Sequence, residues 1–261
     1  MSALVLPPEC RVGRTLLRLD CVDSTNREIR RLAVQDAPDG LVVTARRQTA
    51  GRGRSGRSFH SPKDCGLYLS ALLRPQLPPE AAAHLTAWTA VAVCDAIESV
   101  CSLRPQIKWI NDLILNGKKL CGILTELLVT NGRPDGVVVG IGINVNHRAE
   151  DFPPDLRDTA TSLSMELGRD VDLESLTYAL ILALDRLYAA FPSQKESYLD
   201  RYRADCLTTG RPVLLTTPVQ TREAVALGID EDFRLLVELP DGTREAVRTG
   251  EASVRGLHGY L

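Results

Sequence analysis

Aromatic residues are scarce in this 261-residue chain: they make up 5% of it, with four phenylalanines and two tryptophans. That leaves few stacking platforms for single-stranded nucleic acid. A charge excess of either sign is also missing. The formal net charge is −2, which denies the chain the global basic field of most nucleic-acid binders. No apolar run approaches the length of a membrane span. Met1 to Cys10 holds two prolines and a glutamate in place of the basic start and long apolar stretch of a secretory signal. The four histidines have no metal-ligand spacing, and the seven cysteines contain no Cys-x-x-Cys pair. An odd number of thiols with apolar neighbours reads as reduced, mostly buried cysteines of a cytoplasmic protein. Cys121 is the one thiol near a motif, and packing is the favoured reading because no histidine lies near it in sequence. A Gly-x-x-x-x-Gly-Lys-[Ser/Thr] loop is absent, and any bound nucleotide must use another scaffold.

What the chain does have is a 44% hydrophobic composition, enough for a substantial core, and one unusual loop. The loop runs from Arg46 to Pro62 between strand-like runs at Gly40–Ala45 and Gly66–Leu73. Arginines at 46, 47, 52, 54 and 57 are interleaved with Gly51, Gly53 and Gly56, and no carboxylate interrupts them. Glycine allows tight backbone and close approach of main-chain N–H groups to a ligand, and arginine recognises carboxylate and phosphate bidentately. Such a loop suits an anion carrying both groups. Left empty it is expected to be mobile, because like charges repel and nothing apolar pins it.

Upstream, Thr15–Val22 reads as a strand, and Thr25 with Glu28 predicts a capping box opening a helix through Ile29, Leu32 and Ala33. That helix start could present free N–H groups and hydroxyls to a polar ligand. Downstream, Pro78–Ser102 reads as a long buried helix. Gln106–Trp109 starts a strand, Asn116-Gly117 marks a hairpin, and Val137–Asn146 is a strand whose glycines permit close backbone approach. Asp151–Asp158 is a connector. A helix with its apolar stripe from Leu173 to Phe191 and a second over Gln194–Cys206 follow. Thr208–Pro212 breaks the pattern. The five short runs Val213–Thr216, Glu223–Ile229, Leu235–Leu239, Arg244–Arg248 and Ala252–Arg255, with an Asp241-Gly242 turn, imply a small β-barrel. Strands linked by hairpins and mixed with helices favour an α+β fold with a mixed, largely antiparallel sheet.

Lys108-Trp109-Ile110-Asn111-Asp112 brings a cation, an amide and a carboxylate to a strand end, and Lys119 follows the hairpin turn. A carboxylate beside an amide could meet Mg²⁺, although such residues also serve as an ordinary polar turn. Together with Ser24-Thr25-Asn26, Gln48 to Arg57, Lys119-Leu120-Cys121-Gly122-Ile123-Leu124 and Gly140-Ile141-Gly142-Ile143-Asn144, in this order, the chain resembles the biotin protein ligases (biotin–[acetyl-CoA-carboxylase] ligases). The likeness covers about residue 14 to the end.

The resemblance implies a class II synthetase-like biotin/lipoate ligase catalytic domain over 1–208 and an SH3-like barrel over 209–261. It implies that biotin and Mg·ATP give biotinyl-5′-AMP, which a lysine of a biotin carboxyl carrier protein domain then attacks. By resemblance, Ser24, Thr25, Asn26 and Gln48 contact biotin. Gly51, Arg52, Gly53 and Arg54 close over the adenylate. Lys119 stabilises charge at the carboxylate and α-phosphate. Arg57 and Lys108 meet phosphates, Phe59, Asn111 and Asn144 belong to the ATP site, Asp112 meets Mg²⁺, and Leu124 lines biotin's aliphatic chain. Phe59 stands where the family commonly has tryptophan, and Ile110 where proline is usual. Some relatives carry an N-terminal DNA-binding domain. About fourteen residues before the first strand predict a short form without one, which does not bind DNA. A homodimer with sheets paired edge to edge is compatible with the family. The rival readings are a lipoate–protein ligase, and a nucleic-acid-binding module using the arginine loop.

Overall fold

Side-chain alternation along the strands builds a sheet with two unlike faces. The computed structural model describes residues 5–75, 84–130, 132–217, 219–248, 250 and 253–256. In chain order these form β1 (Leu16–Leu19), α1 (Thr25–Ala33), β2 (Val42–Ala45), β3 (Gly66–Leu73), α2 (His84–Cys101), β4 (Gln106–Lys108), β5 (Asp112–Leu115), β6 (Lys118–Thr130) and β7 (Arg133–Asn144). Then come α3 (Leu163–Leu167), α4 (Leu173–Ala190), α5 (Lys195–Asp205), β8 (Pro212–Thr216), β9 (Thr221–Ile229), β10 (Leu235–Glu238), β11 (Arg244–Val247) and β12 (Ser253–Gly256). The proline start expected near Pro78 and the residue Ala252 lie outside the described residues.

The first sheet has the order β1-β2-β3-β7-β6-β5-β4, and only β1 and β2 run parallel. Leu67, Leu69, Ala71 and Leu73 of β3 and Val137, Val139, Ile141 and Ile143 of β7 point to one face, into the larger core. There α2, α4 and α5 cover them, and Trp88 stacks on Tyr198 with ring centroids 3.9 Å apart. Each fully buried aliphatic side chain of this kind contributes about 1.5–3 kcal/mol. On the opposite face Leu72, Leu128 and Val138 pack with Ile29 and Ala33 of α1. That helix is short, and the remaining positions on its face, Gly122, Leu124, Gly140 and Gly142, floor a cleft.

The second sheet is antiparallel, with order β11-β10-β9-β8-β12. It forms the C-terminal five-stranded unit foreseen as a barrel. Trp109 ties the two sheets together: its backbone N–H donates to Thr208 Oγ1 at 2.9 Å and its indole N–H to the Phe233 carbonyl at 2.8 Å. Val213, Phe233, Leu235 and Val237 join the same continuous core as α2.

The Asn116-Gly117 hairpin forms as expected, with φ of 48° and 76° suited to a type I′ turn. The capping box does not form. Ser24 is the N-cap without a side-chain bond, and Glu28 pairs with Arg31. The Thr25 hydroxyl is instead drawn to Gln48, a partner that the local pattern cannot reveal. The short helix α3 was not foreseen; Ser162 caps it by accepting from Met165 N, and Gly168 ends it in a left-handed conformation. All seven thiols are free, and five are buried; Cys21 is exposed and Cys65 half-buried.

His147, just past β7, is fully buried and stacked on Phe152. Burial holds its protonation down to about 4, with His60 adding repulsion and Asp151 opposing it. The unfolded state therefore binds more protons between about pH 6.5 and pH 4, and stability falls as the pH drops through that window. The loss is expected to reach about 3 kcal/mol. Urea denaturation at pH 7 and pH 4.5 should show it, and His147→Phe should flatten that part of the profile.

Candidate active site

The N-terminus of α1, the arginine loop, the β4–β5 turn and the glycine positions of β6 and β7 enclose a cleft of about 860 Å³. The sheet wall is set by a local rule. Along β6 and β7 alternate residues face the cleft, and at Gly122, Gly140 and Gly142 the absent side chains leave room for Asn26 and Phe59. A Cβ at Gly140 would collide with the Asn26 side-chain amide, and one at Gly142 would lie 2.6 Å from the Phe59 ring.

The start of α1 is held by a polar network. Asp23, whose carboxyl the Arg31 guanidinium holds down to about 2, accepts the Ser24 N–H at 2.7 Å. Gln48 Oε1 accepts from both Thr25 N and Thr25 Oγ1, at 2.9 and 3.1 Å. Gln48 Nε2 donates to Ser61 Oγ at 2.9 Å. Ser70 Oγ lies 2.7 Å from Thr25 Oγ1 and 2.6 Å from Asn26 Oδ1. Asn26 Nδ2 donates to Glu126 Oε2 at 2.9 Å. Asn26 and Thr25 are thus buried yet fully engaged, and their orientation is set before any ligand arrives.

The arginine loop folds as a turn of its own. Gly53 N donates to Arg57 O at 2.7 Å and Phe59 N to Gly51 O at 2.9 Å, with Ser55 and Gly56 at φ of 55° and 74°. The expectation that nothing apolar pins it is corrected by Phe59, which packs over Gly142 and edges Tyr68. Three of its guanidinium groups are also anchored at the cleft: Arg52 on Glu126 at 3.1 Å, Arg54 on Asn111 Oδ1 at 3.1 Å, and Arg57 on Ser253 Oγ at 3.1 Å.

Opposite the loop, Lys119 Nζ lies 2.7 Å from Asp112 Oδ1. The backbone of Lys119 is clamped between Thr159 O and Thr161 N at 2.8 and 2.9 Å. Lys108 is 5% exposed. Burial pushes its ammonium down to about 8, Asp112 opposes this, and Lys119, Arg255 and Arg57 add to it. Burial likewise lowers Arg54, against the pull of Asp112. Six cationic side chains (Arg52, Arg54, Arg57, Lys108, Lys119 and Arg255) line the cleft, against Asp112 and Asp155. The cleft is suited to an anion and has an apolar sector at Leu124 and Phe59. Buried Cys121 is no nucleophile, because burial raises its thiol well above the ordinary range.

Of the residues singled out in the sequence, Ser24, Thr25, Asn26, Gln48, Arg52, Gly53, Arg54, Arg57, Phe59, Lys108, Asn111, Asp112, Lys119 and Leu124 line the cleft together. Gly51 and Asn144 do not. A Cβ at Gly51 would meet Ser61 Oγ at 2.7 Å, so Gly51 serves the loop's own packing. Asn144 is 5% exposed and its Nδ2 donates to Thr161 O at 3.0 Å. It ties β7 to the segment that clamps Lys119. Sequence reasoning missed Glu126 and Ser70, and it missed Thr216, Ser253 and Arg255 at the rim. Alternation through Gly122, Leu124 and Glu126 could have revealed the first. Nothing local announces the residues from the second sheet.

No cluster of three His, Cys, Asp or Glu that could hold a metal occurs among the described residues. No helix among them is long and apolar enough to cross a membrane.

Comparison with known proteins gives a consistent match. The Biotin/lipoate A/B protein ligase family pattern matches residues 19–144, and the Biotin protein ligase C terminal domain pattern matches 208–255. The bifunctional ligase/repressor BirA of Bacillus subtilis is 37% identical over 235 residues, covering 90% of this chain and 72% of its own. The biotin–[acetyl-CoA-carboxylase] ligase of Paracoccus denitrificans is 32% identical over 243 residues, covering 90% of this chain and 98% of its own. Among solved structures, the biotin protein ligase of Aquifex aeolicus in complex with biotin and ATP superposes with a TM-score of 0.79. It is 29% identical and covers 93% of this chain and 99% of its own.

Proposed function

Because the chain belongs to the biotin protein ligases, we propose that this cleft is where it activates biotin with ATP, and we assign the residues that do so. The observation that carries the assignment is the joining of a fixed polar network at Ser24–Asn26 to a wall of six cations. One suits a neutral polar head group. The other suits a carboxylate meeting a triphosphate.

In the first step a biotin carboxylate oxygen attacks the α-phosphorus of ATP, and pyrophosphate leaves. Two anions must approach, so the barrier falls only if cations neutralise them in place. Lys119 is assigned to the carboxylate and α-phosphate, Arg52 and Arg54 to the adenylate, and Arg57 and Lys108 to the departing phosphates. Ser24, Thr25, Asn26 and Gln48 are assigned to the biotin ring, with Leu124 along its aliphatic chain. Phe59 and Asn111 border the nucleotide. In the second step an acceptor lysine amine attacks the mixed-anhydride carbonyl, an amide forms, and AMP leaves with the bonding pair. The acceptor is assigned as the lysine of a biotin carboxyl carrier protein domain. Closure of the arginine loop keeps water from taking the place of that amine.

Mg²⁺ is bound mostly by phosphates and one or two carboxylates, and Asp112 is the carboxylate of this cleft that would meet it. The ion would supply charge neutralisation at the phosphates, beside the Lys119 ammonium. The free thiols fit a reducing cytoplasm. We further propose a boundary near residues 208/209, activity without DNA binding in keeping with a net charge of −2, and a homodimer as an assembly to be tested by sedimentation.

The test is biotin-dependent exchange of pyrophosphate into ATP, followed by the mass of an added carrier domain. Exchange that follows lipoate in place of biotin would reject the assignment. Gly140→Ala offers a finer check. The Asn26 amide is held by Ser70 and Glu126 and cannot yield to a new Cβ without breaking that network. The dissociation constant for biotin, read by calorimetry, is expected to rise tenfold or more, as a misfit of one methyl group costs about 1–3 kcal/mol.

A further inference from the structure

The assigned chemistry leaves one well-held carboxylate without a part. Glu126 sits on β6, on the cleft face, two residues beyond Leu124. Its side chain is 15% exposed. It accepts from Asn26 Nδ2 at 2.9 Å and from Arg52 Nη1 at 3.1 Å, and Arg30 of α1 lies 3.5 Å away. Arg30 is itself bonded to Leu127 O at 3.3 Å. The carboxylate is therefore fixed from the helix and strand side whether or not the loop is present. Arg52 reaches it from 74 residues away in sequence, out of the glycine-rich tip of the loop, where Arg54 and Arg57 bond to neutral groups, Asn111 and Ser253; Arg46, at the base of the loop, pairs with Asp64 and Asp20 away from the tip.

We propose that Glu126 is a positioning residue that latches the arginine loop to the central sheet. Resting on the ligase reading above, we infer that it holds Arg52 over the acyl-adenylate and slows escape of that intermediate. An arginine fork has five donors, so one nitrogen can stay on Glu126 while others serve a ligand anion. The same carboxylate aims the Asn26 amide, which couples the loop to the polar network at the start of α1. Glu126 touches none of the reacting atoms in this scheme.

The test uses the full chain and biotinyl-5′-AMP formed in place from biotin and ATP, with its release rate followed by trapping. Glu126→Gln retains an acceptor for Asn26 and removes the charge that Arg52 needs. Release is expected to speed up about fivefold, the upper range for a partly exposed ion pair. In an Arg52→Met background the same change is expected to add nothing. Release at the unaltered rate, or a full further fivefold in that background, would overturn the latch. Thermal melting monitors folding, and Glu126→Asp, which keeps the charge and shortens the reach, should fall between; its releasing at the unaltered rate would also count against the latch. Trypsin cleavage within residues 52–57 reports the loop without any chemistry, and Glu126→Gln should accelerate it. Faster cleavage in a chain that forms no biotinyl-5′-AMP would uphold the latch and sink the ligase assignment. Unchanged cleavage would sink the latch alone.

Discussion

Lys119→Ala is expected to slow formation of biotinyl-5′-AMP by about 10²–10³-fold, the usual loss when a group that stabilises developing charge is removed, about 3–4 kcal/mol. Two effects add. The ammonium that would meet both the carboxylate and the α-phosphate disappears. Asp112, whose side chain is 13% exposed, also loses the cation 2.7 Å from its Oδ1. That carboxylate then repels the incoming anions. Lys119 is well placed for this part because its backbone is clamped on both sides by the Thr159–Thr161 segment, so its side chain starts from a fixed point. A rapid-quench measurement of pyrophosphate release checks the chemical step by itself. Adenylation within tenfold of the unaltered chain would remove Lys119 from the mechanism. Lys119→Arg should recover part of the rate, since charge returns but the compact ammonium does not.

Arg54→Gly is expected to release the adenylate about 10- to 100-fold faster, the range set by losing one charge-assisted hydrogen bond of about 1.5–3 kcal/mol. Arg54 bonds Asn111 Oδ1 at 3.1 Å and so fastens the tip of the loop to the β4–β5 turn. Arg54 is half-buried, and burial works against its charge, so the guanidinium is only partly screened by water. Glycine removes that anchor and loosens a turn that already contains Gly53 and Gly56. Released adenylate acylates any accessible amine. The measurement is biotin incorporated into an unrelated protein added to the mixture. Labelling no greater than with the unaltered chain would reject the closing role of the loop. The two substitutions separate the steps: Lys119→Ala should produce little intermediate, and Arg54→Gly should produce it and lose it.

The strands, the Asn116-Gly117 hairpin and the faces of α2 and α4 were legible because each rests on neighbours within a few residues. The same holds for the motifs: glycine alternation in β7 and the Gly/Arg spacing of the loop are local, and residues such as Arg54 and Lys119 do line one cleft. Other roles depended on groups far along the chain. Thr25 fits a local capping box by sequence, but Gln48, twenty-three residues on, takes its hydroxyl. Asn144 sits in a matching motif, and its amide donates to Thr161 O, seventeen residues on. Arg57 is held by Ser253, 196 residues away, on a second sheet that no local pattern aims at the cleft. Local order follows from backbone geometry and side-chain periodicity, which the sequence carries residue by residue. Which carboxylate restrains which arginine is set by how two sheets and a short helix pack, and that packing exists only once the chain has folded.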